Sequence, residues 1–173
     1  MSNKTLFEEL KSNLAASNWD IRKKWAQSIV LECIPINSFY PLLTENKKTA
    51  TRFLWLLSDI ASENKGVIYD DLPTLLKLSD SITHVDMKLA FTRLWQLCGV
   101  PVENESEAIE LLFSYLISRE IDVTPKSRAL FVLVGLTNKY PELKNELKQT
   151  LLIERDKNTT DFRNRADKIL SKL

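Results

Sequence analysis

Apolar residues in this chain recur three and four positions apart, the interval that lines one face of a helix, over ten successive segments. The first, about 4–16, carries Phe7, Leu10 and Leu14 as a stripe, with Thr5 and Glu8 at capping-box spacing. The second, 19–33, places Trp25, Ala26, Ile29, Val30 and Cys33 on one face, and a short third, 36–44, contains Pro41. The fourth, 47–63, aligns Ala50, Phe53, Leu54, Leu57, Ile60 and Ala61, and Gly66 follows as a terminator. The fifth, 67–78, contains Pro73. The sixth, 85–98, turns Met87, Ala90, Phe91, Leu94, Leu97 and Cys98 inward and stops at Gly99 and Pro101.

The seventh segment opens near Asn104, which has cap spacing to Glu107, and runs to 119. The eighth has Thr124 as N-cap and Pro125 at the first helical position. Its run 129–136 is apolar almost all round, which predicts the most buried helix of the chain. The ninth follows Pro141 with Leu143, Leu147 and Leu151, and the tenth starts near Thr160 with Phe162, Ala166, Ile169, Leu170 and Leu173. No stretch alternates apolar and polar residues long enough to predict a strand, so the fold class expected is all-α. The polar stretch 153–161 reads as a loop before a terminal cap helix, which leaves 1–173 as one domain.

Composition agrees. A chain of 173 residues, 44% hydrophobic and 27% charged, can bury a core and is too apolar for disorder. It has only 3 glycines, as expected of long helices and too few for phosphate-cradling loops. Cys33 and Cys98 stand 65 positions apart without a CxxC partner, and both fall on apolar faces, so they are expected to be reduced core thiols. The N-terminal residues show no apolar leader, and no apolar run approaches the ~20 residues of a membrane span. The expectation is a soluble, cytoplasmic protein.

The helices also repeat. Four of them carry a basic residue followed three positions later by an aromatic: Arg22 with Trp25, Arg52 with Trp55, Lys88 with Phe91, and Arg128 with Phe131. The basic residues are spaced by 30, 36 and 40, and each such helix is followed by a second one. The aromatic reads as core and the basic residue as rim, its stem packed. Two of the second helices share a Pro-Leu pattern, Pro41-Leu42-Leu43 and Leu72-Pro73-Thr74-Leu75-Leu76, with the prolines 32 apart. Two helices per unit at a period of 30–40 residues marks an α-solenoid. With Asp20-Ile21-Arg22 and Ala26 opening the first unit, residues 19–151 resemble the HEAT and HEAT-like (armadillo-type) repeat family. The resemblance implies a right-handed α-α superhelix of about four hairpins with flanking cap helices. It is good in the first two units and loose in the last two, whose second helices lack the proline.

Candidate chemistry is sparse. His84 is the only histidine and has no clustered cysteine for a zinc site, so it reads as a loop or cap residue, and no metal or cofactor is expected. Nothing supports Cys33 and His84 as a catalytic pair. The nucleotide, zinc-protease and serine-hydrolase motifs are absent. The adjacent pairs Asp70-Asp71 and Glu8-Glu9 point about 100° apart on a helix, so they read as solvated surface rather than acid–base sites.

Charge placement separates the remaining function classes. The net charge is +1, but the first helices of the four units sum to +6 and the second helices to −4. In HEAT-like stacks the second helices line the concave face, so the resemblance implies a neutral to acidic groove. That groove would carry Tyr69, Asp71, Glu107, Glu110, Ser114 and Glu146. The expected role is a non-catalytic protein-interaction or scaffolding module with another protein as partner. The alternative is a HEAT-like nucleic-acid-binding protein related to alkylated-base DNA glycosylases, which the sign of the groove opposes. A third class, the fumarase-like lyases, needs a Gly-Ser-Ser catalytic loop that this chain lacks.

Overall fold

A computed structural model describes residues 3–173. It is helical throughout, with no strand among the described residues. The helices are α1 (Asn3–Asn13), α2 (Trp19–Leu31), α3 (Lys47–Glu63), α4 (Gly66–Tyr69), α5 (Leu72–Ser79), α6 (Met87–Cys98), α7 (Glu105–Ile117), α8 (Val123–Lys139), α9 (Leu143–Glu154) and α10 (Thr160–Leu170). Three-residue 3-10 turns follow α1 and α9 and precede α7, and the stretch Ile36–Thr44 around Pro41 is a 3-10 helix. The chain forms two compact units, one ending at Pro101 and one spanning Val102–Leu173. The division falls between the two helices expected to form the third hairpin.

In the first unit α3 is the central element. It packs on α2, α6 and the 3-10 helix. Asn46 caps it by accepting the Lys48 and Thr49 amides at 3.1 Å each, satisfying two of the orphan donors of its first turn. Ala50, Phe53, Leu57 and Ile60 follow at helical spacing and are completely buried. The elements packed on α3 supply Ala26 and Ile29 of α2, Phe39 and Leu42 of the 3-10 helix and Phe91 of α6, all buried as well. Gly66 does not terminate α3: the helix ends at the C-cap Asn64, and Gly66 begins α4. The fifth expected helix is split at Asp70-Asp71 into α4 and α5, with Pro73 in the first turn of α5.

The end of α2 corrects the cysteine expectation. Cys33 is exposed, not core, and it takes φ +51 just past the helix. Its amide donates to Val30 O at 3.3 Å and the Ile34 amide to Ile29 O at 3.0 Å. Those two bonds make a Schellman cap, the turn that ordinarily puts glycine in the left-handed position. Gly99, at φ +87, ends α6 as expected.

In the second unit α7 and α8 form the main pair, closed by α9 and α10. Leu112 and Leu116 of α7, Ala129 and Leu133 of α8, Leu147 and Leu151 of α9, and Phe162 and Ala166 of α10 are fully buried. The seventh helix starts where expected, after Asn104, and the eighth starts earlier than expected. Asp122, not Thr124, holds the N-cap position of α8, and Val123 is its first helical residue. Asn104 lies in a 3-10 turn and makes no side-chain cap for α7. The run 129–136 is not buried all round either: Phe131 is 60% exposed.

Candidate functional site

The six residues expected to line a groove fall in both units. Tyr69 ends α4 and Asp71 precedes α5 in the first unit. Glu107, Glu110 and Ser114 lie three and four residues apart on α7, exposed along one face, and Glu146 is exposed on α9, which packs against α7. Asp71 is engaged within its own unit: its carboxylate accepts the Tyr40 hydroxyl. Burial, that hydrogen bond and the nearby carboxylate charge push the Tyr40 phenol well above its ordinary value. Glu9 behaves likewise, accepting the Trp25 indole N–H at 2.8 Å. In each adjacent acidic pair the second member is a half-buried structural acceptor and the first, Glu8 or Asp70, is exposed.

The four basic–aromatic pairs do not share one environment. Trp25 and Phe91 are core, as expected. Trp55 and Phe131 are 46% and 60% exposed. Arg22, expected at the rim, is buried. Its Nε donates to Asp59 Oδ2 at 2.8 Å across the α2–α3 contact, with only 8% and 19% of the two side chains exposed.

Two of these departures, Arg22 and Trp55, meet where α2 packs on α3. The Trp55 ring lies under two guanidinium groups, Arg52 at 4.2 Å and Arg22 at 5.2 Å from its centroid. One turn spacing explains the first contact, since Arg52 and Trp55 are three apart on α3, and the α2–α3 packing supplies the second. On α2, Trp19 is 57% exposed and Lys23, four residues later, sits 5.0 Å from its ring. Two exposed indoles are therefore held in place by cations. Asp59 anchors the arrangement. Burial raises its pKa more than the hydrogen bond and charge of Arg22 and the charge of Arg93 lower it, so its carboxyl lies above the ordinary carboxylate value. The signal was present in the sequence as Arg52-x-x-Trp55, but a repeat reading assigns that aromatic to the core.

The second unit has its own polar cluster. Glu105, buried at the start of α7, accepts both Lys139 Nζ (2.8 and 2.7 Å) and the Tyr140 hydroxyl (2.5 Å). Burial works against its charge, but the two donors outweigh burial and hold its carboxyl below the ordinary value. Glu105 in turn raises Lys139 and Tyr140, chiefly through those hydrogen bonds. This cluster ties α7 to the end of α8. His84 is exposed between α5 and α6. The described residues hold no group of three or more His, Cys, Asp or Glu side chains placed to share a metal ion, and no helix among them is long and apolar enough to cross a membrane.

Compared with protein-family models, with curated proteins and with solved structures, the chain finds no match.

Proposed function

We propose that the chain is a non-catalytic protein-docking module, built from HEAT-like helical hairpins, that engages a partner chain through the Trp19–Trp55 face of α2 and α3. The observation that carries this is Trp55, nearly half exposed yet in cation–π contact with both Arg22 and Arg52. Tryptophan and arginine dominate the energetics of protein interfaces, and an anchor already held in place loses less side-chain entropy on binding. The helical-hairpin reading rests on the basic–aromatic recurrence and on an all-helical chain. It moves the working surface from the second helices, where the family likeness puts it, to the first.

Nucleic acid is the competing partner, because an indole beside cations can also stack a base. The charge on this face argues against it. Arg22 is neutralised by Asp59, so the cations on the indoles that remain available are Lys23 and Arg52. Two phosphate contacts give a salt slope of only about −1.4 to −1.8. The test is affinity capture with wild type and with the variant Trp19→Ala/Trp55→Ala, each matched for its thermal melt. A protein retained by wild type and lost by the variant supports the reading. Equal retention by both overturns it, as does micromolar DNA or RNA binding with a slope steeper than about −4.

A further inference from the structure

The second unit carries a different surface. Between α8 and α10 lies an open groove of about 280 Å³, with Leu130, Phe131, Val134 and Ile169 as its apolar lining and Arg165 and Lys168 at its edge. We infer that this groove is a docking site for an acidic amphipathic helix of a partner protein.

Three observations carry the inference. Phe131, 60% exposed, offers an aromatic ring to solvent where burial by a partner would be favourable. Leu130 beside it is buried and Val134 and Ile169 are half-buried, so the exposed apolar surface centres on Phe131. The apolar positions of α8 that face the groove, 130 to 134, span one helical turn, about 6 Å, the separation of two anchor side chains at i and i+4 on an incoming helix. The charged groups that border the groove are both cationic, and Arg165 and Lys168 are three apart on α10, so they share a face.

Of the three carboxylates on α10 and the turn before it, two are engaged elsewhere, and the third, Asp161, lies one turn before Arg165. Asp167 pairs with Arg155 at 2.5 Å, and Asp156 pairs with Arg155 at 3.5 Å and Arg163 at 3.3 Å. Among the described residues neither Arg165 nor Lys168 has an ion pair. An occupant must therefore present apolar anchors to the floor and negative charge to the rim. A basic helix would set like charges together. The inference does not use the α2–α3 face, so the two surfaces stand or fall separately.

The experiment uses the full chain and two fluorescein-labelled peptides of about four helical turns. Both carry Leu at i and i+4, one with flanking Glu and the other with Lys at those positions. Fluorescence anisotropy is expected to show saturable binding of the Glu peptide at low salt. Affinity should fall about tenfold or more in Arg165→Glu/Lys168→Glu and in Phe131→Ser, and stay unchanged in Trp19→Ala/Trp55→Ala. All the substituted side chains lie at the surface, and circular dichroism confirms that each variant folds. Absence of saturable binding at millimolar peptide overturns the inference, as does equal binding of the Lys peptide. A chain that sediments as a dimer in wild type and as a monomer in Phe131→Ser also overturns it, because a second copy then fills the groove. So does recruitment to phosphatidylserine vesicles that Arg165→Glu/Lys168→Glu abolishes.

Discussion

Replacing Arg22 by Met keeps an unbranched stem in the α2–α3 contact and removes only the charge and the donor. Asp59 is then left with 19% of its side chain exposed and no opposite charge at hydrogen-bond distance. The charge centres of the pair lie roughly 4 Å apart, which at an effective dielectric of about 20 is worth about 4 kcal/mol of attraction. Asp59 recovers part of that from water on its exposed side. The net loss is expected to be about 2–3 kcal/mol, below the 3–5 kcal/mol of a fully buried pair, with about 0.5 kcal/mol of it from the lost cation–π contact on Trp55. All four tryptophans, at 19, 25, 55 and 95, lie in the first unit, so urea unfolding followed by Trp fluorescence reads that unit directly. Asp59→Asn and the double variant complete a cycle with an expected coupling of about 1.5–3 kcal/mol. The pH dependence has a definite sign. Burial already raises Asp59 above its unfolded value, and losing Arg22 raises it further. A carboxyl raised by folding binds its proton more readily when folded. Its contribution is fully present below the unfolded pKa of about 3.9 and is lost as pH rises through the folded value. The deficit of Arg22→Met should therefore shrink as pH falls from about 7 towards 4. A loss under about 0.5 kcal/mol, or a deficit that grows on acidification, would refute the assignment of Arg22 and Asp59 as a coupled interior pair.

Phe91→Ala and Phe131→Ala change the same position of the basic–aromatic recurrence, but Phe91 is completely buried and Phe131 mostly exposed. Denaturant titration should give about 3–5 kcal/mol for the first and under about 1 kcal/mol for the second; equal losses would restore the equivalence of the repeats. Cys33→Gly relieves a left-handed residue at the Schellman position and should stabilise by about 1 kcal/mol, measured as a raised urea midpoint; a lowered midpoint means that the cap does not form. Glu105→Gln should lower the thermal midpoint most in the neutral range. The depressed Glu105 pKa contributes stability above about pH 4.3 that is lost as pH falls through the folded value, and the raised Lys139 and Tyr140 contribute stability below about pH 10 that is lost as pH rises through theirs. Circular dichroism melts of wild type and variant that differ equally at acid, neutral and alkaline pH would contradict this.

The helices were legible wherever one apolar stripe faces one contact. On α2 and α6 a single stripe is available, and Trp25, Ala26, Ile29 and Phe91 are buried where the period puts them. On α8 the run 129–136 is apolar at almost every position, so no period distinguishes the inward side from the outward one, and Phe131 proves to be outside. Trp55 is a subtler case. At about 100° per residue it lies nearly opposite the stripe of Ala50, Phe53, Leu57 and Ile60 on α3, so the helical period puts it outside, and only the basic–aromatic recurrence placed it in the core. Cap chemistry misled in a different way. Thr124-Pro125 is a good start signal, yet α8 begins two residues earlier with Asp122 at the N-cap position, while Asn104 holds the N-cap position of α7 without a side-chain hydrogen bond. The Schellman turn at Cys33 escaped because its sequence mark is a glycine that this chain lacks.

The candidate surfaces were harder to read than the helices, because they depend on which charges cancel. A net charge of +1 argues against a strongly basic partner site on any global count. Locally, cancellation is uneven. Asp59 is committed to Arg22, so the Trp19–Trp55 face keeps Lys23 and Arg52; Asp167 and Asp156 are committed to Arg155 and Arg163, so the groove of α8 and α10 keeps Arg165 and Lys168. The exposed carboxylates Glu107 and Glu110 meanwhile sit together on α7. Each apolar surface thus carries a small positive excess that exposed acidic residues elsewhere conceal in the sum. Two cations beside an apolar anchor are too few for tight phosphate binding but sufficient to select the sign of a peptide partner. On that basis both surfaces should prefer acidic, apolar-anchored segments of protein, with affinities that fall gently rather than steeply as salt rises.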